Sequence, residues 1–121
     1  MATQEFNSPK LMTAGDLVNL PAVPADHRLS YGPEPSQFGD LYLPQQSGPH
    51  PVVILVHGGC WRAQIGLDHL GPLCKAFTGD GLAVWNVEYR RLGNGGGWPM
   101  TFVDIATSVD FLRAISQKRT F

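Results

Sequence analysis

The sequence has 121 residues, of which 43% are hydrophobic and 16% charged, so it fits one small globular domain better than a disordered chain. Nine basic and ten acidic side chains leave a net charge of −1, which provides no field to attract nucleic acid or an anionic membrane surface. Two cysteines are too few for a disulfide scaffold, and no apolar run approaches the ~20 residues of a membrane span. We therefore expect a soluble, cytoplasmic protein.

The first 25 residues are predicted to form an N-terminal arm. Prolines flank the segment LMTAGDLVNL, in which Thr13 or Asp16 can cap one or two helical turns. Two extended segments follow at residues 27–32 and 37–44, separated by the turn sequence PEPS.

A strand–helix–strand unit is predicted in the middle of the sequence. Val52–Val56 is apolar throughout without alternation, which is typical of a parallel strand covered on both faces, and we expect it to be central in its sheet. Apolar residues at helical spacing over 67–77 predict a helix, and two glycines mark its end. Residues 82–89 read as a second buried strand. The unit indicates two parallel strands joined by a right-handed crossover, and hence an α/β layered sheet.

The last predicted element is a long helix that begins at Pro99. Asp104 lies near its start and Lys118 near its end, as the helix dipole favours. Six apolar residues are predicted to share its buried face: Phe102, Ile105, Ala106, Val109, Leu112 and Ile115.

Two loops are predicted on one rim of the sheet, at residues 57–62 and 90–98. The carboxyl ends of parallel strands meet at one edge, which is where open α/β sheets bind ligands. Gly58 and Gly59 let the backbone turn sharply and leave amide N–H groups uncovered, and such amides can build an oxyanion hole.

These two loops carry a family resemblance. The sequences HGGCW, at residues 57–61, and VEYRRLGNGGGWPMTFVDI, at 87–105, resemble segments of the α/β-hydrolase superfamily, in its esterase/lipase and arylformamidase-like branch. The first of them is similar to the HGGG-type oxyanion loop. The resemblance implies an α/β-hydrolase fold over residues 26–121, with a mostly parallel sheet and flanking helices. It also implies hydrolysis of carboxylic esters or of small amides, such as an N-formyl aryl amine, through an acyl-enzyme on serine.

The resemblance implies roles for individual residues as well. Gly58, Gly59 and Cys60 would be the backbone donors of the oxyanion hole. It also implies that Arg90 pairs with Asp104 and braces the loop between them, whereas the alternative is two solvated charges.

Trp61 and Trp98 are candidate walls of an acyl or aryl pocket in the substrate-binding site, with plain packing as the alternative.

Other roles for the polar residues are disfavoured. The catalytic histidine of the resembling fold comes last in chain order, so we expect His57 to hold the loop by hydrogen bonds rather than to transfer protons. Cys60 is expected to be a buried small hydrophobe rather than an activated thiol. A metal site from His57, Cys60, His69 and Cys74 would lack any recognised spacing, and the glycine-rich loop lacks the pattern of a nucleotide site. No metal or cofactor is therefore expected.

The nucleophile elbow G-x-S-x-G of the resembling fold is missing from these residues. None of the six serines has glycines at both flanking positions, and the fold places its triad in the order Ser, Asp or Glu, His. We therefore expect the sequence to be the N-terminal half of a hydrolase, truncated before the elbow and without esterase turnover of its own. The alternative is a catalytically silent fragment that acts as a binding or assembly module. Without the elbow strand, one edge of Val52–Val56 would be open, so we expect self-association there.

Overall fold

Four strands form one mixed sheet in the computed structural model, which describes residues 10–118. They are β1 His27–Ser30, β2 Phe38–Tyr42, β3 Val52–Val56 and β4 Ala83–Val87, in the spatial order β1-β2-β4-β3. The predicted α/β class is confirmed. The sheet is mixed rather than mostly parallel, because β1–β2 and β2–β4 are antiparallel and β3–β4 is parallel. A short turn joins β1 to β2, and only an antiparallel pair can be joined in that way.

The central strand is β4, not β3. All five residues of β4 are buried, because strands flank both of its edges and helices cover both faces of the sheet. The expectation that β3 is central was wrong for the described residues: β3 lies at the edge of the sheet, and Ile54 and Val56 are 39% and 49% exposed. The parallel pairing of β3 with β4 was predicted correctly, as was the second edge of β3, which no strand pairs with among residues 10–118.

A helix covers each face of the sheet. On one face, a 3-10 turn at Asp68–Leu70 leads into α2, Gly71–Gly79, as the spacing over 67–77 predicted. On the other face lies α3, Met100–Lys118. Successive residues of β4 serve the two faces in turn, because side chains alternate along a strand. Val84 packs with Tyr42 and Cys74 on the α2 side, whereas Trp85 packs with Leu41 and Leu112 on the α3 side.

The buried face of α3 is more polar than its sequence suggests. Phe102 is 45% exposed and Ala106 is exposed, so their predicted burial was wrong. Thr101, Asp104 and Ser108 are buried instead. Each has a hydrogen-bond partner, for example the Trp85 indole N–H, which donates to Ser108 Oγ at 2.8 Å. A satisfied polar group can be buried at little cost, so the polar stripe faces the sheet.

The first described helix of the N-terminal segment is short and capped: α1, at Ala14–Val18. Thr13 and Asp16 form a reciprocal capping box, and no residue of α1 is buried. Further along, the Tyr42 hydroxyl donates to the Val23 carbonyl at 2.7 Å and ties the segment to the sheet. Residues 1–9 of the predicted arm and 119–121 of the predicted domain lie outside the described residues. Within residues 10–118, none of the helices has the length and apolar character needed to cross a membrane.

Candidate active site

The loop at residues 57–62 leaves the carboxyl end of β3 and turns back sharply. The Arg62 N–H donates to the Gly59 carbonyl at 3.1 Å, and the two residues between them, Cys60 and Trp61, have φ values of 53° and 57°. Consecutive positive φ angles are typical of a type I′ turn. Residues other than glycine seldom adopt them, and such strain persists where the surrounding structure fixes the backbone. Cys60 is exposed in this turn, so its expected burial was wrong.

The backbone amides of this loop point to no acceptor in the part of the chain that the structure describes. The N–H groups of Gly58, Gly59, Cys60 and Trp61 make no hydrogen bond there. Gly59 has φ 117°, and a Cβ on it would overlap Ile65. The close approach of these two segments therefore requires glycine at position 59.

A second loop, residues 90–98, supports the first. The Leu92 N–H donates to the Trp61 carbonyl at 2.7 Å, and the Ala63 N–H donates to the Leu92 carbonyl at 3.0 Å. This pair of bonds forms an isolated parallel bridge between Arg62 and Leu92, which prolongs the β3–β4 pairing beyond the strands. The two loops do lie on one rim, as the strand directions predicted.

A buried carboxylate, Glu88, lies beneath the 57–62 loop. His57 Nε2 donates to Glu88 Oε1 at 2.6 Å, and the His57 ring stacks on Tyr89 with 4.4 Å between centroids. The Tyr89 hydroxyl donates to the His57 carbonyl at 2.5 Å. The His57 side chain is thus buried and hydrogen-bonded through Nε2.

Neighbouring groups stabilise the negative charge of Glu88 in its buried position. Burial by itself raises the pKa of this carboxyl, but the hydrogen bond and charge of His57, the Tyr89 N–H and Arg91 together hold its pKa below the ordinary value. The Arg91 guanidinium is buried as well, 3.4 Å from Glu88 Oε1, and donates to the carbonyls of Ala63 and Ile65.

The predicted ion pair between Arg90 and Asp104 is present. Arg90 Nη2 and Nε donate to the Asp104 carboxylate at 2.8 and 3.0 Å, and the Arg90 backbone N–H donates to it at 2.9 Å. Gln37 Nε2 adds a fourth bond at 2.9 Å. Burial alone raises the pKa of Asp104, but the bonds from Arg90 outweigh it and lower that pKa. The pair thus anchors the start of the 90–98 loop to α3.

The end of the same loop is anchored by Thr101. Its hydroxyl donates to the Arg90 carbonyl at 2.7 Å and accepts from the Gly97 N–H at 3.0 Å. Gly96 lies so close to the Arg90 carbonyl that a Cβ would overlap it. The end of the 90–98 loop therefore packs against its first residue, Arg90.

The two tryptophans singled out in the sequence meet through a third aromatic residue. The rings of Trp61 and Trp98 each lie 5.1 Å from the ring of Phe102, centroid to centroid, in edge-on geometry. The three side chains are 44%, 81% and 45% exposed, respectively. Together they form an exposed aromatic cluster beside the 57–62 loop. Phe102 was not predicted to belong to it, since it was assigned to the buried face of α3.

The main residues that sequence reasoning missed are Glu88, Tyr89 and Arg91. A signal was present: four ionisable side chains, those of residues 88–91, follow directly on a buried strand, where an unpaired charge is costly. The sequence could not name their partners, because His57 and the carbonyls of residues 63 and 65 come from another segment.

Residues 10–118 form no metal site, and they form a cavity away from the 57–62 loop. No three His, Cys, Asp or Glu side chains among residues 10–118 come together in a way that could hold a metal ion. A cavity of about 350 Å³ lies between the N-terminal segment and the sheet, and its lining includes Arg28, Asp40 and Leu67. No residue of the 57–62 loop lines this cavity.

Comparisons with known proteins place this geometry in a family. The BD-FAE family matches residues 39–121. A bifunctional GH43-CE protein of Bacteroides eggerthii has a similar structure, with 25% identity and a TM-score of 0.64, over 76% of this chain and 13% of that one. A candidate thioesterase from Silicibacter sp. TM1040 shares the fold, with 24% identity and a TM-score of 0.56, over 75% of this chain and 32% of that one. This chain thus spans a third or less of the length of either structure, and no curated protein sequence matches it. The chain belongs to the BD-FAE family, an esterase-like family of the α/β-hydrolase superfamily.

Proposed function

We propose that this chain carries the oxyanion loop of a serine hydrolase that cleaves carboxylic esters or small amides, as arylformamidase-like enzymes do. The observation that carries the proposal is the 57–62 loop. Its free backbone amides lie at the carboxyl end of β3, and the turn is held in a strained conformation. Membership of an esterase-like family supports the same reaction class.

The amides would act on the charge that develops during acyl transfer. When a serine hydroxyl attacks the substrate carbonyl carbon, the carbonyl π electrons move to the oxygen. The N–H groups of Gly58, Gly59 and Cys60 would donate to that oxyanion. The alcohol or amine then leaves with a proton, and water cleaves the acyl-enzyme in a second round of the same chemistry. Fixed donors cost no reorganisation at that moment, and loss of one donor typically lowers kcat by ~10²–10³-fold.

The nucleophile and its partners would come from residues outside this sequence. No serine of the 121 residues stands in a G-x-S-x-G pattern. In α/β-hydrolases this elbow follows a strand later than β4 and α3. We propose that such a segment belongs to the same polypeptide and pairs with the open edge of β3.

The aromatic cluster of Trp61, Trp98 and Phe102 would bind the acyl or aryl part of the substrate. It is exposed, and it adjoins the proposed donors through Trp61, which follows Cys60 directly. Aromatic faces at such positions bind flat or apolar groups through burial and stacking.

The test is to read the DNA that follows codon 121 and to assay the encoded polypeptide on an activated aryl ester. We expect a G-x-S-x-G sequence and turnover that disappears when its serine is changed to alanine. Gly59→Ala should lower kcat about a hundredfold, since its Cβ would displace the turn. A stop codon without an elbow, together with no turnover, would support a silent binding or assembly module instead.

A further inference from the structure

We infer that Glu88 is the positioning residue of the 57–62 loop, because its carboxylate holds both ends of the segment from His57 to Leu67. This inference rests on the proposed function only in calling that loop an oxyanion loop. Neither the sequence pattern nor the family match assigns Glu88 a role.

The first end of the segment is His57. A carboxylate oxygen can only accept, so the 2.6 Å contact with Glu88 Oε1 requires the proton on His57 Nε2. The stacked Tyr89 ring holds the imidazole from one side, and the Tyr89 hydroxyl holds the His57 carbonyl. Glu88 and Tyr89 together thus fix the position at which the chain leaves β3.

The second end is Leu67, ten residues later. Its N–H donates to the other carboxylate oxygen, Glu88 Oε2, at 3.2 Å. The Leu67 carbonyl lies 3.4 Å from Asn86 Nδ2, a second side chain of β4. A Cβ on Gly66 would lie 3.0 Å from Glu88 Oε2, so the backbone passes directly over the carboxylate. The two oxygens of one side chain therefore hold the two ends of the segment.

Arg91 holds the middle of the segment. Its Nε lies 3.4 Å from Glu88 Oε1. Arg91 Nη1 donates to the Ala63 carbonyl at 2.7 Å and to the Ile65 carbonyl at 2.6 Å. Each charge of the pair is about nine-tenths buried. Loss of the carboxylate would leave the guanidinium buried without its counter-charge and would disturb this contact also.

The bonds made by Glu88 and Arg91 hold the 57–62 loop in a strained turn. Cys60 and Trp61 hold positive φ angles that the chain would leave if the ends of the segment could move. We expect loss of the Glu88 charge to let the turn relax and separate from the 90–98 loop. The bonds between Ala63 and Leu92, and between Leu92 and Trp61, would then open.

Amide hydrogen exchange on the 121-residue chain tests this. In Glu88→Gln, the amides of Ala63 and Leu92 should exchange at least about tenfold faster than in the wild type. Those of Val84 and Trp85 in β4 should change less than about twofold. Glu88→Asp, which keeps the charge on a shorter side chain, should give an intermediate rate. Asp110→Asn, an exposed charge on α3, should leave both sets of amides unchanged.

A second readout follows the histidine itself. The His57 Nε2–H should give a downfield proton NMR signal in the wild type that moves upfield in Glu88→Gln, because a neutral amide is a weaker acceptor. Should Glu88→Gln fail to fold, Arg91→Lys tests the same cluster with the same Ala63 and Leu92 amides.

Two results would overturn the inference. One is equal acceleration at all four amides, which would make Glu88 a general contributor to stability. The other is no acceleration at Ala63 and Leu92. Neither depends on turnover, so an inactive polypeptide in the ester assay would refute the proposed function and leave this inference standing.

Discussion

Replacement of Asp104 by asparagine should destabilise the protein strongly. The Asp104 side chain is buried and accepts four hydrogen bonds, three from Arg90 and one from Gln37. An asparagine keeps one accepting oxygen and places an NH₂ group against the other donors, so at least two of the four bonds are lost. The guanidinium of Arg90 loses its counter-charge as well.

The size of the effect follows from the burial of the two partners. Removal of one partner from a buried ion pair costs roughly 3–5 kcal/mol. The side chain of Arg90 is 20% exposed, and water can replace part of what it loses. We therefore expect a loss near the lower limit, about 3 kcal/mol. This corresponds to roughly a hundredfold change in the unfolding equilibrium constant and to a fall of about 10 °C in Tm.

Urea unfolding followed by circular dichroism measures the loss. Asp110→Asn is the matched control, since it is the same substitution on the same helix. Asp110 pairs with Arg113, but both side chains are more than 70% exposed, so its loss should cost less than about 0.5 kcal/mol. If Asp104→Asn unfolds within about 0.5 kcal/mol of the wild type, the reasoning about the ion pair is refuted.

Four further predictions concern other parts of the molecule. The folded-state pKa values of Glu88 and Asp104 are lowered. The stability that these two carboxylates contribute should therefore be complete above about pH 5 and lost as the pH falls through their folded-state pKa values. Urea unfolding at a series of pH values measures this loss. Gly96→Ala should lower the unfolding free energy by about 2 kcal/mol or more, since its Cβ would overlap a backbone carbonyl, whereas Gly79→Ala meets open space at the end of α2 and should raise it by up to about 1 kcal/mol. Cys60→Gly should raise Tm or leave it unchanged, because φ 53° costs an L-residue about 1 kcal/mol; a clear fall would contradict the strain assigned to the turn. The 121-residue chain should self-associate through the open edge of β3 at low micromolar concentration. Size-exclusion chromatography with light scattering measures this. A monomer with fully protected β3 amides would show that another segment covers that edge.

Much of the fold could be predicted because its signals are local. The apolar run of β3, the helical spacing that leads into α2 and the proline before α3 all lie within single segments. The capping box at Thr13 is likewise read from four consecutive residues. Such patterns reflect backbone preferences and side-chain periodicity, which do not require knowledge of the rest of the chain.

Position within the sheet could not be predicted from the same signals. An apolar strand has the same sequence pattern at the centre of a sheet as at its edge. β3 was therefore expected to be central, but the central strand is β4. The orientation of α3 was misjudged for a related reason. Hydrophobicity favoured burial of Phe102, but Thr101, Asp104 and Ser108 are buried instead. Arg90 in the 90–98 loop bonds to Thr101 and Asp104, and Trp85 in the sheet bonds to Ser108.

By itself, the sequence determined where the backbone can turn sharply, where strands and helices form, and which charges stand next to buried segments. Gly59 and the run before His57 were sufficient to locate the 57–62 loop. Only the tertiary structure decided that Glu88 would meet His57 and Leu67, and that Trp61 and Trp98 would share Phe102 as a neighbour. These contacts join residues up to 41 positions apart. Their geometry depends on the β3–β4 register and on the packing of α3, neither of which a local pattern specifies.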